Sequence, residues 1–289
     1  MAKLLIIADV ENKCVATPRG LELAARLGLS ADVVAFTYAP LKKLHVSAQQ
    51  QGVIQERLLS QREETVQARV DKYKKPGQKV TLKVVWMKDI HKWINKQCEG
   101  GRYVAVVKTG NRTESLVHTS TDWELLRECP ARVLLVAENK WPRTKPVLIS
   151  LDLTSDLPTK RKLNDKVLAD GKALAEALGV ELEIITAIEV PTLLADLDLV
   201  DPYTYAKQVK ESMQPYLSKL AADHDIPEKS FHCKRGPVER VITSHAAKIR
   251  AQIVVMGTVG RKGVKARLLG NTAERVLRHL KTDVVAIKP

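Results

Sequence analysis

The strongest constraint on the fold is an internal duplication. The apolar run Lys3 to Ala8 ends at Asp9, and a second run, Val147 to Leu151, ends at Asp152. The stretch DWELLRECPARVLLVAEN is echoed by TAERVLRHLKTDVVAIKP at the C-terminus, a helix pattern followed by a strand pattern in each. Between these landmarks, short apolar runs alternate with amphipathic stretches. Such alternation predicts parallel strands joined by helices on both faces of a sheet. A repeat at this scale means two copies of a unit of roughly 140 residues.

In the first copy, strands are expected at Ala31–Tyr38, Val80–Trp86, Tyr103–Val107 and Val133–Val136. Thr17-Pro18 should open a helix that Gly28 stops. Ser47 to Tyr73 reads as a long helix with Val53, Ile54, Leu58, Val66 and Val70 as its buried stripe. Shorter helices follow at Ile90–Cys98 and Asp122–Glu128. In the second copy, strands are expected at Glu181–Ile188, Ser230–Cys233, Gln252–Met256 and Val284–Ile287. Helices are expected at Thr159–Leu178, closed by Gly179, and at Tyr203–Ala222, Val238–Lys248 and Thr272–Leu280. The polar segment Glu138 to Lys145, with Trp141-Pro142, reads as a linker between domains at 1–140 and 146–289.

The chemically distinctive stretch is IVVMGTVGRKGVKARLLGN, Ile253 to Asn271. Its apolar head is a strand buried on both faces. Gly257 and Gly260 then break it, and Gly270-Asn271 opens the next helix. Glycines at the carboxyl end of a central strand allow positive φ and close approach of a ligand. Main-chain amides there and in the first helical turn can hold an anion. Asn271 is a good N-cap, and Glu274 could complete a capping box with it. Arg261, Lys262, Lys265 and Arg267 lie in the same stretch, which has no acid. Lys229 to Lys281 carries thirteen Lys or Arg against two acids, whereas Pro146 to Glu228 has eight basic and fifteen acidic residues. The net charge of +14 is therefore focused around the glycine loop, which suits a polyanion.

Gly257-Thr258-Val259-Gly260, nine residues, then Gly270-Asn271 resembles the nucleotide-binding loop of the universal stress protein family. That loop has two glycines separated by two residues, nine further residues, then glycine with Ser or Thr. Asn271 replaces the hydroxyl, and Asp152 matches the family's acidic position after the first strand. The resemblance covers the whole chain through its duplication and is nearest to the tandem-domain type. It implies an α/β fold of two tandem doubly wound five-stranded parallel-sheet domains forming a pseudo-dimer, with ligand at the carboxyl ends of the strands. It further implies ATP or a related nucleotide conjugate, with Mg²⁺ accompanying a triphosphate, bound by a stress-response signalling module. The cofactor-binding set is then Asp152, Gly257, Thr258, Gly260, Arg261, Gly270, Asn271 and Thr272. The first copy retains only Gly110 after its fourth strand, with Thr121-Asp122 where Gly270-Asn271 would stand. It is expected not to bind nucleotide.

Other classes fit less well. No Gly-Lys-Ser/Thr or GxSxG sequence occurs, so no catalytic residue is assigned, and at most slow ATP hydrolysis is expected. Ser244-His245 are helix neighbours that do not face each other, and His118 and His224 read as ordinary surface or packing residues. Cys14, Cys98, Cys129 and Cys233 lack a CxxC pair and read as reduced thiols, and His232-Cys233 alone makes no metal site. Asp196, Asp198 and Asp201 match no calcium loop and read as a solvated connection. Trp86, Trp93, Trp123 and Trp141 read as packing residues, so a nucleic-acid partner is disfavoured despite the positive charge. With no spanning segment or signal peptide, the expected setting is cytoplasmic, without a membrane partner and with homodimer formation open.

Overall fold

A computed structural model describes residues 2–9, 14–110, 121–191, 193, 199–258 and 270–289. The chain divides into two compact units, Met1–Glu138 and Asn139–Pro289. The first contains β1 (Lys3–Ala8), α1 (Ala16–Arg26), β2 (Ser30–Thr37), α2 (Ala48–Tyr73), β3 (Val80–Trp86), α3 (Ile90–Cys98), β4 (Tyr103–Thr109), α4 (Thr121–Glu128) and β5 (Arg132–Val136). The second contains β6 (Val147–Ser150), α5 (Pro158–Leu178), β7 (Leu182–Ile188), α6 (Pro202–Asp223), β8 (Phe231–Arg235), α7 (Val238–Lys248), β9 (Ile253–Gly257), α8 (Asn271–His279) and β10 (Asp283–Ile287).

Both units wind the same way. Strand order is β3-β2-β1-β4-β5 in the first and β8-β7-β6-β9-β10 in the second, with parallel pairing inside each. The central strands are the continuous apolar runs: Ile253 to Met256 are at most 4% exposed, and Leu4 to Ile7 are equally buried. Each such side chain removed from water contributes roughly 1.5–3 kcal/mol. Edge strand β3 instead alternates between half-buried and exposed positions along its first half.

Register identifies corresponding positions. Thr109 pairs with Val136 and Gly257 with Ile287, at the ends of β5 and β10. Working back through the β1–β4 and β6–β9 pairs, Ile6 corresponds to Ile149 and Asp9 to Asp152. A second echo emerges from the packing. A Cβ on Gly20 of α1 would lie 2.8 Å from the Ile6 side chain, and one on Gly171 of α5 would lie 2.5 Å from that of Ile149. Both units thus seat the first helix on the first strand through a glycine.

Several local expectations need correction. Helix α1 begins at Ala16, not Pro18, and Val15 stands at its N-cap without a side-chain cap of its own. The cap comes from across the sheet, because Thr109 Oγ1 accepts from the amides of Val15 (3.2 Å) and Ala16 (3.0 Å). In α2, Ser47 and Gln50 form a capping box, but only Val66 and Val70 of the anticipated stripe are buried. Val53 is 60% exposed, so the N-terminal half of this long helix extends beyond the sheet it covers. Gly28 and Gly179 close α1 and α5 with φ of 63° and 64°, the left-handed stop glycine favours. Asp201 caps α6 by accepting from Thr204 N at 2.8 Å, whereas Asp196 and Asp198 lie outside the described residues. Residues 139–145 are part of the second unit, where Asn139 Nδ2 donates to Lys281 O (3.1 Å) and Gln252 Nε2 to Lys145 O (2.5 Å). None of the four cysteines is in a disulfide, and Cys14, Cys98 and Cys129 are buried.

Candidate functional site

In a doubly wound sheet the crevice opens where the chain turns in opposite directions from two adjacent strands. In the second unit those strands are β6 and β9. From β6 the chain passes through α5 to β7, and from β9 it passes through α8 to β10 on the other side. Their carboxyl ends bring together Asp152 and Gly257-Thr258, and α8 starts on the same edge.

Asp152 is positioned by its backbone. Its amide donates to Asn164 Oδ1 (3.3 Å), and Asn164 Nδ2 returns a bond to its carbonyl (2.8 Å). Asn164 is a buried residue of α5 and so locks the turn after β6. The Asp152 carboxylate is left partly open to solvent, accepting from Lys160 Nζ at 2.7 Å and Thr154 Oγ1 at 2.9 Å. Behind them, the Arg161 guanidinium lies 4.5 Å from the Tyr216 ring centroid and pairs with Asp156 at 2.5 Å. Burial raises the Tyr216 phenol above its ordinary pKa.

Gly257 and Gly270 differ in what makes them glycine. Neither adopts positive φ, contrary to expectation. A Cβ on Gly257 would meet Leu163 Cδ2 of α5 at 2.7 Å, so a side chain there would force the buried leucine to shift. Thr258, 2% exposed, faces inward: its amide donates to Ile287 O at 2.8 Å and its hydroxyl to the same oxygen at 3.2 Å, extending the β9–β10 ladder. Gly270, not Asn271, is the N-cap of α8, with φ −62° and ψ 134°. Any L-residue can adopt that conformation. Because Asn271 is already helical, the capping box with Glu274 does not form. Glu274 N donates to Gly270 O (3.0 Å), and the Glu274 carboxylate turns to Arg278 (2.7 Å). Gly270 has no side chain to cap this helix, and among the described residues none is seen to do so; Asn271 and Thr272 at its start are exposed. Gly260 and Arg261, with Lys262, Lys265 and Arg267, lie outside the described residues.

The corresponding crevice of the first unit is filled from within. Lys108 Nζ lies 2.8 Å from Asp122 Oδ1 and 3.9 Å from Asp9 Oδ1, with Lys108 and Asp122 side chains only 8% and 5% exposed. Arg62 Nη2 donates to the carbonyls of Ala8 (2.9 Å) and Asp9 (2.7 Å). Thr109, at the Gly257 position, spends its hydroxyl capping α1. Counted back without gaps from β5 and β10, Asp122 corresponds to Ala273, not to Asn271. Neither Lys108 nor Arg62 was singled out from the sequence. The one signal was a charged residue interrupting the apolar run of β4.

Residues 158–288 match the family described as the universal stress protein family. Over 99% of its length the chain is 30% identical to universal stress protein E of Salmonella typhi, covering 93% of that protein. Among solved structures, a functionally unknown protein from Pseudomonas aeruginosa PAO1 is similar over the whole chain and 93% of its own, with a TM-score of 0.71 and 20% identity. A universal stress protein from Archaeoglobus fulgidus aligns over 99% of this chain and 98% of its own, with a TM-score of 0.68 and 18% identity.

Proposed function

Since this chain belongs to the universal stress protein family, as a tandem protein of the E type, we propose that it is a stress-response binding module whose second unit takes an adenine nucleotide, ATP or a related conjugate. The observation that carries this reading is the start of α8. Gly270 has a backbone any residue could adopt, and as the N-cap it brings no side chain to the first amides of the helix. A glycine that conformation does not require, placed at the head of a helix, leaves room for a phosphate oxygen to reach the main chain. The amides of Gly270, Asn271 and Thr272 would receive the phosphates. Asp152, paired with Lys160, would border the adenosine side with its charge largely offset. Thr258 would shape the floor through its bonds to Ile287, and Gly257 would do so by admitting Leu163. Mg²⁺ would accompany a triphosphate as its counter-ion.

The first unit would serve as a structural partner, because the Lys108–Asp122 pair and Arg62 already occupy the space beside Asp9. Among the described residues no helix is long and apolar enough to cross a membrane.

The test is equilibrium binding of ATP to the full chain and to Gly270→Val. Valine fits the Gly270 backbone but puts a branched side chain where phosphate would meet it. Loss of binding in the variant, with unchanged thermal unfolding, is the expected result. Equal affinity in both proteins would remove the proposal.

A further inference from the structure

Three side chains far apart in the chain meet at the opposite edge of the second unit's sheet. Glu183 is the second residue of β7 and His232 the second of β8, so they lie at the amino ends of their strands. Ile185 pairs with His232, and Glu183 lies two residues before it, so Glu183 and His232 share one face. His245 comes from the last turn of α7 packed over that face. His232 Nε2 is 2.6 Å from Glu183 Oε2, and His245 Nε2 is 3.3 Å from the same oxygen. The two imidazole centroids are 4.8 Å apart. Cys233 points to the other face by strand alternation, so the sequence neighbours His232 and Cys233 do not act together.

We propose that Glu183, His232 and His245 form a binding site for a borderline divalent transition-metal ion of the Zn²⁺ type. Two imidazoles and one carboxylate are the donor set such ions take when one coordination position stays open. All three candidate ligand atoms lie within 4.8 Å of one another. Tetrahedral coordination at the usual bond lengths separates ligand atoms by about 3.3 Å. His245–Glu183 is already at that spacing, and the His232–Glu183 contact must lengthen by less than 1 Å to reach it. His245 is 4% exposed and held by packing, whereas His232 and Glu183, 33% and 25% exposed, also line a cleft of ≈ 490 Å³. Ion and water can therefore enter from the cleft, with water as the fourth ligand.

Lys234 opposes this site. Its Nζ lies 2.7 Å from His245 Nδ1. An ammonium has only donors, so Nδ1 accepts and Nε2–H points at Glu183. A metal on Nε2 requires the proton on Nδ1, and hence displacement of Lys234. Glutamine at 234 would remove the charge and offer an acceptor to Nδ1–H, the outer-shell partner that metal-bound histidines use.

The experiment uses the full chain stripped with chelator and titrated with Co²⁺, followed by visible absorption, then competed with Zn²⁺. The wild type should develop a saturable tetrahedral Co²⁺ spectrum that Zn²⁺ erases. His232→Ala and Glu183→Gln, at partly exposed positions that need not disturb folding, should each weaken binding by at least ~10-fold. Lys234→Gln should strengthen it by a similar factor. His91→Ala should leave it unchanged, because the His91, Glu124 and Glu128 grouping is a separate one in the first unit. No saturable spectrum in the wild type, or equal affinity in wild type and folded His232→Ala, would reduce the cluster to a hydrogen-bonded packing feature and overturn the proposal.

Discussion

Gly257 ends its strand directly beneath Leu163, with the leucine Cδ2 2.7 Å from where a glycine Cβ would be. The same residue belongs to the glycine pattern that marks the candidate phosphate loop, so packing and ligand readings meet at one position. They separate by experiment. Gly257→Ala should cost about 1–3 kcal/mol in denaturant unfolding through overpacking. Leu163→Ala combined with it should return part of that loss in a double-mutant cycle. An unchanged unfolding midpoint in Gly257→Ala would mean that α5 does not press on the strand.

The glycines of the first helices reverse the ordinary helix-propensity rule. Alanine normally stabilises a helix interior by about 1 kcal/mol over glycine. At Gly171 and Gly20 the new methyl would collide with Ile149 and Ile6, so destabilisation of about 1–3 kcal/mol is expected instead. Gly52 in α2 has no atom within 4 Å of its would-be Cβ, and Gly52→Ala should stabilise by about 0.5–1 kcal/mol. Thermal or denaturant unfolding of the three variants checks the opposite signs.

The Lys108–Asp122 pair carries a different signature. Lys108→Met takes the nearest cation from the buried Asp122 carboxylate and should cost about 3–5 kcal/mol, whereas Asp122→Leu leaves Lys108 beside Asp9 and should cost less. Replacing both together should be less destabilising than the two singles summed. A double variant as unstable as the two singles summed would show that the groups act independently.

Asp32 and Tyr103 predict the pH limits of the first unit. Burial alone would raise the Asp32 carboxyl, but hydrogen bonds from Lys3 (2.9 Å), Tyr103 (2.8 Å) and Thr81 (2.8 Å) outweigh it and hold Asp32 below its ordinary pKa. Its contribution is thus present above about pH 3.9 and lost as pH falls through the lowered value. Tyr103 is pushed up to about 12, by burial first and then by its bond to Asp32. Its contribution is complete below about pH 10 and lost as pH rises towards 12. Tyr103→Phe should therefore flatten the alkaline limb of a stability–pH curve, and Asp32→Asn the acid limb. Limbs identical to wild type would contradict this pairing.

Periodicity and turn chemistry made the architecture legible. Val80–Trp86, Ile90–Cys98 and Val238–Lys248 coincide with the observed elements because apolar pattern and flanking breakers agree there. The stripe of α2 failed at Val53 because periodicity states which face could be buried, not how far the sheet beneath extends. Asn271 and Gly270 are both acceptable caps, and only the backbone geometry decided between them. Asp152 and Gly257 stand at the carboxyl ends of β6 and β9, where the apolar runs before them led one to place them. The filled crevice of the first unit was not legible, since Lys108, Arg62 and Asp122 converge only in the fold. Glu183, His232 and His245 were invisible for the same reason, coming from two strands and a helix.

The asymmetry between the two crevices is tested most directly by calorimetric titration of ATP, with Mg²⁺, into the full chain. The account predicts a single nucleotide per chain, with the binding heat abolished in Gly270→Val. Two nucleotides per chain, or one whose binding survives that substitution, would contradict it.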